Sequence, residues 1–138
     1  MHNQKLYDQL ILHEGLKLKP YVDTVGKLTI GVGHNLTDKG LTRVQSIRLL
    51  EDDLQDTYNF LNSQCPWYSA LDEVRQRAIV DMTFNLMGKL LQFKTMIAAI
   101  KLKDWNAAAD ALLDSLFAEQ TGQRAKNLAH MLRTGTDF

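Results

Sequence analysis

A glycine-rich stretch from Glu14 to His34 constrains the fold of this chain more than any other part of the sequence. It reads E-G-L-K-L-K-P-Y-V-D-T-V-G-K-L-T-I-G-V-G-H. Pro20 opposes a helix here, and Gly31 and Gly33 alternate with β-branched residues. The pattern predicts two or three short antiparallel strands, with one face so bare of side chains that a flat ligand can approach the backbone.

Two carboxylates and one hydroxyl in this stretch are the candidates for chemistry. Glu14 ends a helical pattern, Asp23 lies nine positions later and Thr29 six positions after that. Groups of this kind can protonate one atom and activate a water on its other side. Each also has a structural explanation: an exposed glutamate in a last helical turn, an aspartate that caps Val25 or Gly26, and a threonine typical of strands.

The remainder of the chain shows helical periodicity in its apolar residues. Thr42 and Gln45 have the spacing of a capping box, which predicts the start of a long helix. Ser69 and Asp104 are suited to begin later helices, and Thr121 to begin the last one. The predicted helices cover residues 3–14, 42–62, 71–84, 90–102, 104–117 and 121–133, with turns at 37–40 and 85–89.

These elements predict a single domain of the α+β class, because 138 residues suffice for one core but not for two large ones. We expect a small N-terminal antiparallel β lobe over about 15–40. The long helix over 42–62 should join it to a larger helical lobe over 63–138, with the first helix, 3–14, added to that lobe. A cleft between two lobes is where ligand sites tend to lie.

Composition narrows the range of partners. The formal net charge is zero, which gives no support to nucleic-acid binding or to long-range attraction toward an acidic polymer. Cys65 is the only cysteine, so no internal disulfide forms, and we expect its side chain to be buried. No segment is long and apolar enough to cross a membrane, and the first residues lack the apolar core of a signal peptide.

Two motifs resemble one known family. The first stretch follows the pattern E-G-x-x-L-x-x-Y-x-D-T-x-G-x-x-T-I-G-x-G-H, and Q-T-G-Q-R-A-K-N-L-A at 120–129 precedes R-T-G-T at 133–136. Both resemble the T-even-type phage lysozymes, the endolysins of glycoside hydrolase family 24. The resemblance implies a lysozyme-like fold and a muramidase, which hydrolyses the β-1,4 bond between N-acetylmuramic acid and N-acetylglucosamine in peptidoglycan. It implies no cofactor.

The resemblance also implies residue roles. Glu14 would be the general acid, and Asp23 with Thr29 would position the attacking water, with inversion at the anomeric carbon. A general acid must keep its proton near neutral pH, and burial from water favours that form. The residues matched to substrate binding are Gly33, Leu36, Phe93, Gln120 and Thr121.

Three further residues would support these groups. His34 would pair with an acid on the long helix, either Asp53 or, as a fallback, Asp52. Arg124 would lie across the cleft and form an ion pair with Glu14. A metal role for His34 is rejected, because no second histidine, cysteine or acid stands at ligand spacing.

Rival functions remain open at this point. One is a non-catalytic wall-binding or tail structural module on the same fold, and the other is a hydrolase directed at chitin. The chain departs from some relatives at Phe117-Ala118 and at Lys94, which concerns sugar preference more than reaction type. We expect a monomer that binds peptidoglycan glycan strands. It would be made in the cytoplasm without a signal peptide and would act on the cell wall, in the periplasm or outside the cell, after release.

Overall fold

The computed structural model of the chain describes residues 2–138. Within them the chain forms two compact units, an N-terminal unit that ends at Leu49 and a C-terminal unit from Leu50 to Phe138. The boundary falls inside the long helix α2 (Arg43–Gln64). The first helix, α1 (Gln4–Glu14), belongs to the N-terminal unit, whereas the sequence assigned it to the helical lobe.

Local signals at both ends define α1, which confirms the helix predicted over 3–14. The side chain of Asn3 accepts a hydrogen bond from the backbone of Leu6 (3.1 Å), which satisfies one free N–H of the first turn. Gly15 ends the helix with a φ of 80°, and its N–H donates to the carbonyl of Ile11 (2.8 Å). No residue of α1 is buried, so these caps do more to define the helix than packing does.

A three-stranded antiparallel sheet follows, which confirms the predicted strands. Tyr21 stands opposite Thr29, and Thr29 stands opposite Asn35 on the other side, so the central strand carries Thr29 in its middle. The turn that was predicted at 37–40 closes with a hydrogen bond from Gly40 N to Leu36 O (3.0 Å). The strands, in spatial order, are β1 (Lys17–Val22), β2 (Leu28–Gly31) and β3 (His34–Asn35).

The chain after the sheet is helical, and two of the caps predicted there are confirmed. Gln45 N donates to Thr42 Oγ1 (3.1 Å) while Thr42 N donates to Gln45 Oε1 (2.9 Å), the reciprocal pair of a capping box at the start of α2. Asp104 accepts from Ala107 N (3.1 Å) and begins α5. After α2 come α3 (Glu73–Leu86), α4 (Lys94–Lys101), α5 (Trp105–Leu113), α6 (Leu116–Thr121) and α7 (Gln123–Thr134), with 3-10 helices at Pro66–Ala70 and Met87–Gln92.

Two predicted helix starts were wrong. Asp72, and not Ser69, caps α3 by accepting from Arg75 N (3.1 Å), since Ser69 already lies inside a 3-10 helix. Thr121 ends α6 instead of opening the last helix, and α7 begins after Gly122, whose φ of 56° reverses the chain. In both cases a residue with a strong turn preference stands one to three positions later than the residue we favoured.

Two predicted helix spans were also wrong. The helix expected over 104–117 is divided, because Ser115 accepts from Ala118 N (3.2 Å) and starts α6 as a separate helix. The turn expected over 85–89 is in part helix: α3 continues to Leu86, and a 3-10 helix fills the gap to α4. Short polar caps of this kind compete with a continuous helix and do not alter the apolar period.

The buried apolar side chains form one core in the C-terminal unit. Cys65 lies in it with 1% of its surface exposed, as predicted. Burial raises the pKa of the Cys65 thiol, and the positive charge of Lys101 offsets part of that rise. The largest side chains of the core are Leu61, Ile79, Met82, Leu90, Met96, Leu112, Leu128 and Leu132.

Candidate functional site

Glu14 lies against a glycine of the sheet. A Cβ atom on Gly33 would stand only 2.7 Å from Glu14 Oε2, so the absence of a side chain is what lets the carboxylate lie there. Gly33 also has a φ of 64°, which only glycine adopts freely. Glu14 itself is exposed, so its position at the end of α1 does not supply the burial that favours the protonated form of a general acid.

The carboxylate of Asp23 is held by a turn. Oδ1 accepts hydrogen bonds from the backbone N–H groups of Val25 (3.0 Å) and Lys27 (2.8 Å). Asp23 N donates in turn to Lys27 O (2.9 Å), which closes the β1–β2 hairpin. Asp23 therefore caps the turn, which is the structural explanation given for it above. This cap leaves a chemical role open, because every hydrogen bond that the Asp23 side chain makes within residues 2–138 uses Oδ1, and Oδ2 stays available.

Thr29 is buried beside that turn, with 3% of its surface exposed. Its hydroxyl donates to Lys27 O (2.9 Å). The same residue, Lys27, therefore binds Asp23 through its N–H and Thr29 through its carbonyl. Since the hydroxyl proton of Thr29 is committed to the backbone, its lone pairs point the other way and can accept a hydrogen bond from a water.

The three groups are anchored along one strand. Lys27, which holds Asp23 and Thr29, immediately precedes β2, while Gly33, beside Glu14, lies in the turn just after it. Gly31 lies four positions after Lys27, a rise of roughly 13 Å between these backbone positions. The carboxylates thus have attachment points at opposite ends of β2, and Thr29 lies on the strand between those points.

His34 closes the next turn. Its Nε2 makes a hydrogen bond with the carbonyl of Gly40 (2.7 Å), which ties β3 to the end of the following turn. Leu36 begins the same turn: its carbonyl accepts from Gly40 N (3.0 Å), and its N–H donates to Leu28 O of β2 (2.7 Å). The sequence did not indicate the Gly40 contact. The pairing of His34 with an acid of α2 stays a prediction.

Asp53, the preferred acid for that pairing, borders a small cavity of about 210 Å³ in the C-terminal unit, together with Asp56, Thr57, Phe84 and Met87. Asp52, the fallback, is exposed on the same helix.

Arg124 has a partner that the sequence did not indicate. Its Nε donates to Asp81 Oδ1 (2.8 Å), and its Nη2 donates to Asp81 O (2.9 Å). These residues lie 43 positions apart, and no motif links them. Both border a cavity of about 510 Å³ in the C-terminal unit, whose lining includes no other predicted site residue. An ion pair of Arg124 with Glu14 stays a prediction.

The other predicted contacts of the C-terminal unit are separate from that cavity. Phe93 packs its ring edge-on against Phe117, with centroids 6.4 Å apart. Thr121 donates its hydroxyl to Phe117 O (2.8 Å), so it stabilises the last turn of α6. Gln120 is exposed. A substrate-binding role for Phe93, Gln120 and Thr121 stays a prediction.

Two further classes of site find no support in the described residues. Between 2 and 138, no three side chains of the types His, Cys, Asp and Glu come close enough to share a metal ion. No helix of that same range is long and apolar enough to cross a membrane.

The similarity of this chain to known proteins extends over the whole candidate site. A sequence model described as phage lysozyme matches residues 12–132, a range that includes every residue discussed in this section. The chain is 34% identical to the endolysin of Salmonella phage P22, over 72% of this chain and 73% of that protein. It is 29% identical to the probable T4-type lysozyme 1 of Dictyostelium discoideum, over 94% of both chains.

A third relative is a larger protein. The chain is 30% identical to the pre-baseplate central spike protein Gp5 of Enterobacteria phage T4, over 96% of its own length. It spans only 28% of the spike protein, so this relative contains much that the present chain does not match.

Proposed function

Since this chain belongs to the phage lysozyme family, and so to the hydrolases of the lysozyme class, we propose that it is a muramidase. Its substrate is the β-1,4 bond between N-acetylmuramic acid and N-acetylglucosamine of peptidoglycan. The observation that carries the proposal is the anchoring of Asp23 and Thr29 on Lys27 at one end of β2, with Glu14 held against Gly33 at the other.

Glu14 is the general acid of this mechanism. It donates a proton to the glycosidic oxygen as the bond from that oxygen to the anomeric carbon breaks. Because Glu14 is exposed in the free protein, the bound sugar has to exclude water from it. Gly31 and Gly33 give the sugar a surface without side chains, on which it can come close to the carboxylate.

Asp23 and Thr29 direct the water. The hydroxyl of Thr29 accepts one hydrogen bond from the water, and Asp23 Oδ2 accepts the proton that leaves as the new bond to the anomeric carbon forms. Inversion requires carboxyl groups roughly 6.5–9.5 Å apart, wide enough for that water, whereas retention requires about 5–5.5 Å. We propose the wider separation and therefore inversion, as the resemblance to the family implies.

Glu14→Gln tests the proposal because it removes the proton and keeps the shape. We expect the rate at which a peptidoglycan suspension clears to fall by about 10²–10⁴-fold, the usual contribution of a general acid. Glu51→Gln is the matched control, since Glu51 is another exposed glutamate on a helix. Equal clearing by the two variants would end the assignment of Glu14. The anomer released first, followed by NMR, decides between inversion and retention.

A second candidate function follows from the spike protein. A chain that is 30% identical to part of a central spike could serve as one module of a phage particle, whether or not it cuts the wall. A purely structural module would bind peptidoglycan without clearing it. It would also behave identically with and without the Glu14→Gln change. Apart from this second candidate, we propose that the protein acts as a monomer on the glycan strands of peptidoglycan.

A further inference from the structure

The only two tryptophans of the chain border the same cavity. Trp67 lies in the 3-10 helix after α2, and Trp105 is the first residue of α5. The cavity between them has a volume of about 340 Å³, within the range of roughly 300–1,000 Å³ that is usual for small-ligand sites. Both side chains are half-buried, so part of each ring is available to a ligand.

The ring of Trp105 is held in place from one side. The guanidinium of Arg75 lies over it, 4.0 Å from the ring centroid. Arg75 is fixed in turn, because its Nε donates to Leu132 O (2.7 Å) and its Nη1 pairs with Asp72 (3.0 Å). A ring held this firmly offers its free surface to a ligand with little loss of side-chain entropy.

The rim of this cavity is positively charged. Lys101 and Lys103 border it, and Lys101 with Lys94 borders a second cavity of about 340 Å³ that shares Trp67. The three lysines are exposed, and within residues 2–138 none of them is in a salt bridge. The acid at this rim, Asp72, is already paired with Arg75. The charge is therefore local in a chain of zero net charge.

Lys103 lies on the same rim, in the turn that ends α4. Its φ is 57°, in the left-handed region that residues other than glycine seldom adopt. Two hydrogen bonds hold the turn, from Lys103 N to Ile100 O and from Asp104 N to Ala99 O, each of 2.9 Å. They are the two hydrogen bonds of a Schellman helix end, and they fix the backbone that carries the Lys103 side chain.

We propose that Trp67 and Trp105, with Lys94, Lys101 and Lys103, bind the acidic glycan strand of peptidoglycan. The apolar faces of sugar rings pack on the indoles, and the ammonium groups bind the carboxylates of the peptide stems, or that of muramic acid where no stem is attached. None of these residues belongs to the predicted cutting site. The choice of peptidoglycan as the ligand rests on the proposed function.

Tryptophan fluorescence reports on this surface alone, because the chain has no other tryptophan. Soluble peptidoglycan strands are titrated into the Glu14→Gln protein, which is expected to leave them uncut. We expect a change in emission and protection of the indoles from quenching by iodide. Unchanged emission and unchanged quenching at saturating strands would overturn the proposal. So would equal protection by neutral chitin oligosaccharides, which offer sugar faces without carboxylates.

Substitution of two lysines tests the charge. Lys101→Gln combined with Lys103→Asn removes both cations from the first cavity, and asparagine tolerates the left-handed backbone at 103. We expect binding to insoluble peptidoglycan to weaken about fivefold, and the difference to vanish at high salt. Lys126→Gln is the matched control, an exposed lysine that borders neither cavity. Equal binding by the double variant and this control, with both folded by circular dichroism, would refute the role.

The two proposals fail separately. If the unaltered protein does not clear peptidoglycan but strands still protect the indoles, the muramidase assignment is lost and the tryptophan surface stands. If the protein clears peptidoglycan normally and strands never protect the indoles, the surface is lost and the muramidase assignment stands.

Discussion

The two units of this protein are stabilised in different ways. In the N-terminal unit, Thr29 is the one residue up to Leu49, among those described, that is buried. The C-terminal unit has a continuous core in which Leu61, Ile79 and Leu112 have no exposed surface. The candidate catalytic groups all lie in the unit with almost no core of its own. They are positioned by hydrogen bonds and glycine geometry, whereas the helices of the other unit are positioned by packing.

This difference has a consequence for mutation. Apolar burial contributes to the free energy of unfolding in proportion to the area removed from water, so changes in the C-terminal unit should act mainly on stability. Changes in the N-terminal unit should act mainly on the placement of polar groups, and so on turnover. Each of the following substitutions is matched to a control that separates the two effects.

Leu112→Ala should have the largest effect on stability. Leu112 is fully buried, and truncation of such a leucine costs about 2–5 kcal/mol of the free energy of unfolding. Leu102→Ala is the control, since 81% of Leu102 is exposed and its loss should cost less than about 0.5 kcal/mol. Urea unfolding measures both. Turnover per folded molecule should stay unchanged at low temperature. A loss of turnover per folded molecule in Leu112→Ala would contradict the separation of stability and turnover between the two units.

Gly33→Ala should displace Glu14. Its new Cβ would lie 2.7 Å from Glu14 Oε2, and misplacement of a reacting group by about 1 Å can cost about a hundredfold in rate. Gly40→Ala shares the backbone cost of roughly 1–2 kcal/mol, because its φ is 60°, but its nearest neighbour is 3.9 Å away. Clearing rates of the two variants, each corrected for the folded fraction, should therefore differ widely. Similar rates would show that Glu14 tolerates the displacement.

Thr29→Val should lower both the stability and the turnover of the protein moderately. It removes the hydrogen bond to Lys27 O, which contributes about 0.5–1.5 kcal/mol, and it removes the acceptor for the attacking water. Thr83→Val is the matched control in the C-terminal unit, where the buried hydroxyl of Thr83 donates to Ile79 O (2.6 Å). Both variants should lose similar stability, but only Thr29→Val should lose turnover, and Thr29→Ser should regain it. Full turnover in Thr29→Val would remove this residue from the mechanism.

Alkaline pH should have the smallest effect, confined to the C-terminal core. Burial raises the pKa of the Cys65 thiol above its ordinary 9.0, so the folded chain holds this proton more tightly than the unfolded chain. The contribution is complete below about pH 9 and is lost as the pH rises further. The free energy of unfolding should fall less steeply above about pH 9 in Cys65→Ala than in the unaltered protein. Burial also raises the pKa of Tyr68, and that effect is common to both proteins. Parallel slopes in urea unfolding would contradict the assignment.

The parts of the fold that were predicted correctly depend on contacts that are local in the sequence, either helix caps that join residues within about four positions or a hairpin of two neighbouring strands. The Asn3 to Gly15 helix, the hairpin of β1 and β2, and the reciprocal caps of Thr42 and Gln45 are of this kind. Incorrect boundaries arose where two polar residues close together could both cap a helix. At 104–117 the apolar period continues across Ser115, and nothing in that period reveals that this hydroxyl starts a new helix.

By itself, the sequence determined the family, the small sheet and the identity of the candidate catalytic residues. Each of these depends on short motifs whose residues lie close together in the chain. Only the tertiary structure decided that Arg124 pairs with Asp81, that Glu14 lies against Gly33, and that two tryptophans share one basic cavity. Such pairings join residues between 19 and 43 positions apart (33 − 14 and 124 − 81). They depend on how helices and strands pack, which no short stretch of sequence records.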